Sequence, residues 1–137
     1  MKELVNSVDS FENTLAKTNK CIVHYDYSDK NILFSPEGKI QALLDFDDSV
    51  YDHTLLDLGN LALHWAVVNH RVSKERLKVI LSNYTPKISK DFLLTSLKFV
   101  LVERILDLCQ RAQKSEFEKL CTFSLYAQKL FNLYEQN

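Results

Sequence analysis

Positions 24 to 31 read His24-Tyr25-Asp26-Tyr27-Ser28-Asp29-Lys30-Asn31, a histidine and a carboxylate followed five residues later by a carboxamide. The H-x-D-x-x-x-x-N spacing supplies an acid that can orient an attacking hydroxyl and an amide oxygen that can hold magnesium, which are the polar groups phosphoryl transfer requires. Asp26 and Asn31 are the candidates for these two roles. A second acid, Asp45, follows the apolar run Ala42-Leu43-Leu44 and opens Asp45-Phe46-Asp47. A carboxylate at the end of a buried strand is uncommon without a partner or a metal. Magnesium favours hard oxygen donors and fills its shell with water and substrate phosphates, so two protein ligands suffice.

The intervening residues explain why the two motifs should meet. Ile32-Leu33-Phe34 is a short apolar run, Ser35-Pro36-Glu37-Gly38 has tight-turn chemistry, and Lys39 to Leu44 is again strand-like. Proline presets one turn dihedral, and Gly38 tolerates the positive φ needed where the chain re-enters the second strand. A hairpin folded there returns Asp45 to the side on which Asn31 began. Cys21-Ile22-Val23 reads as a strand leading into the first motif.

At these residues the sequence resembles the C-terminal half of the aminoglycoside phosphotransferase and choline kinase family, whose members share the protein-kinase-like fold. Specific motifs carry the resemblance over residues 20–66, and general helical character carries it beyond. It implies that Asp26 is the catalytic aspartate, Asn31 a magnesium ligand, and Asp45 the metal-bridging carboxylate standing where protein kinases have Asp-Phe-Gly. His24 would brace the catalytic loop rather than carry protons. Asp57, in Leu55-Leu56-Asp57-Leu58-Gly59, matches the acidic residue that fastens this loop from the start of the following helix. Asp47 either assists the metal from behind its direct ligands or is a solvated loop acid. Lys30 either touches a phosphate or points to water. Tyr25 departs from the family pattern, since most of its small-molecule kinases place glycine between the histidine and the aspartate.

The activity so implied is magnesium-dependent transfer of the γ-phosphate of ATP to a hydroxyl of a small acceptor. Local acidity, from Asp26, Asp29, Asp47, Asp48 and Asp52, suits an amine-bearing acceptor. Only 23 residues precede His24, and the two glycines, Gly38 and Gly59, lie downstream of it. Lys2, Lys17 and Lys20 sit in or beside a short predicted helix rather than on a strand. No phosphate-covering glycine loop and no strand lysine can be built from these residues. The expectation is therefore a catalytic lobe without its nucleotide lobe: a truncated enzyme, one half of a split enzyme that pairs with a separate N-terminal lobe chain or with copies of itself, or a remnant.

A chain of 137 residues, 46% hydrophobic and 26% charged, suits one domain with an adequate core. The predicted fold class is α+β and mostly helical, a protein-kinase-like C-terminal lobe. Its catalytic loop and hairpin would span about residues 20–48 and a helical subdomain about 55–137. Apolar residues at helical spacing predict helices from about Ser7 to Lys17, from Asp57 to about His70, from a Ser73 cap to before Pro86, from Ser89 or Lys90 through Leu108, and from about Ser115 onward. The net charge of −1 gives no footprint for nucleic acid. No segment has the length of a membrane span, the N-terminus lacks a signal-peptide pattern, and a cytoplasmic location is the default. Cys21, Cys109 and Cys121 lack metal-ligand spacing and read as ordinary thiols.

Two other readings use the same residues. Residues 24 to 64 concentrate His24, His53 and His64 among many acids, as a metal-dependent phosphohydrolase would, but the neighbouring pair Asp52-His53 runs in the reverse of the usual order. A lone lobe could also persist as a binding or scaffolding module, since it exposes the surface that a partner lobe would cover. Asp52 and His53 read as loop residues, and His64 and His70 as packing or surface histidines. Trp65 and Tyr51 lie near the site in sequence.

Overall fold

Short strands supply the loops and three helices supply the core. The computed structural model describes residues 15, 18–85, 87–113, 129, 132 and 133. In chain order the elements are β1 (Lys20–Val23), β2 (Ile32–Phe34), β3 (Ile40–Leu43), β4 (Val50–His53), α1 (Thr54–Trp65), β5 (Val67–Val68), β6 (Arg71–Val72), α2 (Lys74–Asn83) and α3 (Lys90–Gln113). The helices expected over Ser7 to Lys17 and from Ser115 onward, and Cys121, lie outside the described residues apart from isolated positions. One of those positions, Leu133, is buried in the core.

The strands form two-stranded antiparallel sheets: β1 with β4, β2 with β3, and β5 with β6. In the second of these Ile32 faces Leu43, and a bulge shifts the register between Leu33 and Phe34. Its turn closes through the Gly38 amide donating to the Ser35 carbonyl at 2.9 Å, with Gly38 at φ 78°. Only glycine takes that conformation without steric cost.

Three expectations are corrected here. Lys20 does not sit beside a helix but opens a strand, β1. Asp52 and His53 are not loop residues: they lie on β4, where Asp52 faces Cys21 and His53 faces Lys20. The ring of His53 reaches back to Thr18, with Nδ1 2.8 Å from the hydroxyl and 3.2 Å from the carbonyl oxygen. The helix after Asp57 does not run to His70 but ends at Trp65, where the Ala66 amide donates to the Ala62 carbonyl. The β-branched pair Val67-Val68 then pairs with Arg71-Val72 across Asn69 and His70, which sit at φ 51° and 59°. Positive φ at both central residues is the two-residue hairpin turn whose twist suits flanking strands.

The core lies between α1, α2 and α3. Leu93, Leu97 and Leu101 recur every four residues on one face of α3 and are fully buried against Leu58 and Ala62 of α1 and Leu77 of α2. Burying each leucine contributes roughly 2 kcal/mol. Gly59 lets α1 and α3 approach, since a Cβ there would collide with the Ser96 carbonyl and the Val100 side chain. Ser73 caps α2, its hydroxyl accepting from the Arg76 amide, and Ser89 does the same for the Phe92 amide at the start of α3. Among the described residues no helix is long and apolar enough to cross a membrane.

Candidate active site

The strand β1 ends in buried Val23 and His24, and the chain then leaves the sheet as a loop folded back on its own polar groups. The Asp26 amide donates to His24 Nδ1 at 3.3 Å, and His24 Nε2 lies 2.8 Å from the Leu44 carbonyl oxygen. A backbone amide can only donate and a carbonyl can only accept. His24 is therefore the tautomer with its hydrogen on Nε2, tying the Asp26 loop to the residue before Asp45. Its ring also meets Phe46 edge-on, with centroids 4.6 Å apart.

The Asp26 carboxylate is oriented by its surroundings. Its Oδ1 accepts from the Ser28 amide at 2.9 Å and lies 3.5 Å from His64 Nε2. Partial burial raises the Asp26 carboxyl, but the Ser28 hydrogen bonds, with His64 and Arg104 nearby, outweigh it and leave the group below its ordinary value. Burial in turn lowers His64, against the pull of Asp26.

Three side chains from the helices hold the rest of the loop. Asp57 accepts from the Tyr25 amide at 3.1 Å and from the Tyr27 hydroxyl at 3.0 Å. Burial raises the Asp57 carboxyl above its ordinary value, and burial beside Asp57 keeps the Tyr27 phenol protonated far above its own. Trp65 donates from its indole to the Tyr27 carbonyl at 2.7 Å. Arg104, on α3, donates to the Tyr25 carbonyl at 3.1 Å and to Asn60 Oδ1 at 3.4 Å, with its guanidinium 5.6 Å from the centroid of the Tyr25 ring. Tyr25 itself stands at φ 74°. That left-handed conformation costs a bulky L-residue about 1 kcal/mol or more.

Asn31 is buried, and its Nδ2 donates to the Asp26 carbonyl at 3.3 Å. The amide nitrogen is thus committed to the loop, leaving Oδ1 as the atom of Asn31 that can serve a cation. The Leu44 amide donates to the Asn31 carbonyl at 2.8 Å, extending the β2–β3 pairing and setting Asp45 one residue from Asn31's partner. Asp45 is exposed at φ 61°, a conformation that aspartate tolerates better than most residues. Asp47 and Asp48 are exposed in the same loop, and Asp29 and Lys30 are exposed beyond Ser28. The donors near Asn31 and Asp45 are hard oxygens, the type magnesium takes. Among the described residues no group of three or more His, Cys, Asp or Glu side chains is gathered to hold a metal. The histidine-rich hydrolase centre therefore finds no ligand set there.

A cleft of about 380 Å³ opens beside Asp26, lined by Lys30, His64, Arg104, Asp107 and Arg111 among others. Of the acids expected near the mouth, Asp26 lines this cleft, whereas Asp48 and Asp52 line a separate cavity with Tyr25 and Glu103. The cleft thus carries two carboxylates, Asp26 and Asp107, against the cations Lys30, Arg104 and Arg111, and its own charge gives no reason to favour an amine. Sequence reasoning missed Arg104 altogether and treated His64 as packing. Spacing holds a faint signal for His64, which lies seven residues after Asp57 and so on the same face of α1. Nothing in the pattern of α3 distinguishes Arg104 from the other charged residues of that helix.

Comparison with known proteins adds an independent line. A model of the phosphotransferase enzyme family matches residues 3–79. The fold resembles that of the choline kinase LicA from Streptococcus pneumoniae, with TM-score 0.62 and 20% identity over 96% of this chain. It also resembles LicA in complex with AMP, with TM-score 0.54 and 19% identity over 96% of the chain. The chain spans 47% of the length of each of those structures. No curated protein matches it.

Proposed function

The chain belongs to the phosphotransferase enzyme family, the group of aminoglycoside phosphotransferases and choline kinases, and from that premise we propose that it is the catalytic lobe of an ATP-dependent kinase of small alcohols. The observation that carries the proposal is the Asp26 carboxylate, pinned by Ser28 at the wall of a cleft large enough for a small acceptor. Asp26 receives or orients the proton of the acceptor hydroxyl. Asn31 and Asp45 provide oxygens for magnesium, with Asp47 of the same loop as a supporting acid. When bound, the ion would neutralise charge on the transferred phosphate and help align it. The AMP bound to one structural relative supports an adenine nucleotide as co-substrate. Lys30 is exposed and lines the cleft, which supports a part for it in meeting a phosphate. The acceptor is a small alcohol, and the cleft lining leaves the amine-bearing choice without electrostatic support.

The nucleotide lobe expected in this fold would come from outside residues 20–113, from another segment, a separate chain or a second copy. Ile22 and Tyr51, opposite each other on β1 and β4, are each 71% exposed, and Ile40 is 68% exposed. Such apolar exposure also supports the second reading, a non-catalytic module derived from a kinase that binds a partner through exposed apolar residues.

Calorimetric titration with ATP, with and without magnesium, tests the first reading against the second. Magnesium-dependent binding that Asp45→Ala removes and Asp26→Ala spares supports the kinase. Absence of binding at millimolar ATP supports the module. Where turnover of a small alcohol is measurable, Asp26→Ala should lower the chemical step by about 100-fold or more. Equal loss of binding in both variants contradicts the division of roles.

A further inference from the structure

Tyr25 is the residue of the loop least suited to its backbone. It lies between His24 and Asp26 at φ 74°, where a bulky side chain is uncommon and nothing in its own chemistry offsets the strain. Such a conformation persists only where the surroundings over-determine it. Here its amide is taken by Asp57 and its carbonyl by Arg104, which also covers the ring with its guanidinium. The two holders differ in origin. Asp57 opens the helix that directly follows the site, whereas Arg104 is 79 residues away on α3. Asn60 accepts from the same guanidinium nitrogen at 3.4 Å, being itself fully buried and anchored through Nδ2 to the Leu56 carbonyl at 3.1 Å.

We infer that Arg104 is a positioning residue, a clamp that keeps Tyr25 in its left-handed conformation and thereby fixes the direction in which Asp26 enters the cleft. Rotation at Tyr25 swings everything that follows it, including the Asp26 amide on His24 and the Asp26 carboxylate on the Ser28 amide. A carbonyl held by a charged donor and a ring held by the same cation oppose that rotation at two points of one residue. The inference rests on Asp26 being the catalytic carboxylate only for its consequence. The clamp itself is testable without nucleotide or acceptor, so its failure and failure of the kinase reading give different results.

The test is a double-mutant cycle read by amide hydrogen exchange in the intact chain. The reporters are the amides of Tyr25, Asp26 and Ser28, with those of Leu97 and Leu101 in the α3 core as controls. In the Tyr25 background, Arg104→Ala should speed reporter exchange by about ten-fold while leaving the controls unchanged. In a Tyr25→Gly background, where positive φ carries no steric cost, the same change should have about two-fold effect or less. Should Arg104→Ala fail to fold, Arg104→Gln, which keeps a donor but no cation above the ring, enters the same cycle. Tyr25→Asn provides a second relaxed background that retains a side chain. Equal acceleration in the tyrosine and glycine backgrounds would show that Arg104 merely supports the packing of α3, and no acceleration in either would remove it from the loop; both results overturn the clamp.

Discussion

The loop carrying Asp26 and the loop carrying Asp45 are joined by the Leu44 amide on the Asn31 carbonyl, by His24 on the Leu44 carbonyl and by the edge-on contact of His24 with Phe46, yet they are supported very differently. The first is held from three sides by Asp57, Trp65 and Arg104. The second leaves Leu44, Phe46, Asp47 and Asp48 exposed, and its internal bond is the Ser49 amide on the Phe46 carbonyl at 3.0 Å. The contrast separates two tasks. A carboxylate that must meet an acceptor hydroxyl gains from being fixed in advance, because misplacement directly lowers the rate. If the acids of the second loop serve the proposed magnesium, they can be ordered by what they bind.

The largest effect that would break this contrast is at Asp57. Removing its carboxylate leaves the Tyr25 amide and the Tyr27 hydroxyl without their acceptor in a half-buried place, so Asp57→Ala should cost roughly 2–3 kcal/mol by urea denaturation. Trp65→Phe deletes one hydrogen bond to the loop while keeping most of the ring, and should cost about 1 kcal/mol. Asp45→Ala and Asp47→Ala, on the open loop, should stay within about 0.5 kcal/mol of the parent. Losses at Asp45 comparable to those at Asp57 would mean that the second loop is as preorganised as the first. Magnesium sharpens the same point: titration followed by amide chemical shifts should move residues 45–49 more than residues 25–28. Equal movement of both would mean that the Asp26 loop is reordered by the ion as much as the Asp45 loop, and so is not fixed in advance.

What the sequence made legible follows this division. The strands and turn that carry Asp26, Asn31 and Asp45 were readable because their apolar runs and turn residues act over a few positions, whereas Asp57 was singled out by the family resemblance alone. The helices α2 and α3 were readable from period and from Ser73 and Ser89, which act within one turn. The strand β4 was not, because Val50-Tyr51-Asp52-His53 has no apolar alternation of its own and is a strand by pairing with β1. The hairpin of β5 and β6 was hidden for the opposite reason: Val67 and Val68 continue the apolar run of α1, and only the positive φ of Asn69 and His70 separates them from it. Arg104 was illegible because its meaning lies in Tyr25, 79 residues away, and helical period cannot report a partner at that distance.

The smallest expected effect is electrostatic and falls where the fixed loop meets the cleft. His64 faces Asp26, with Arg104 and Asp29 contributing at longer range, and burial brings it below the ordinary histidine value of 6.5. The folded protein therefore takes up this proton less readily than the unfolded chain. The contribution of His64 to stability is complete above pH 6.5 and is lost as the pH falls through its folded value. Ring resonances followed by NMR should titrate below 6.5 in the parent chain. Asp26→Asn removes the neighbour that favours the charged ring and should move the titration further down, whereas Arg104→Ala removes a cation that opposes it and should move the titration up. Opposite movements place His64 in the field of both groups at the rim of the fixed loop. Movement in the same direction, or none, would mean that burial alone sets the ring and that the 3.5 Å approach to Asp26 carries no coupling.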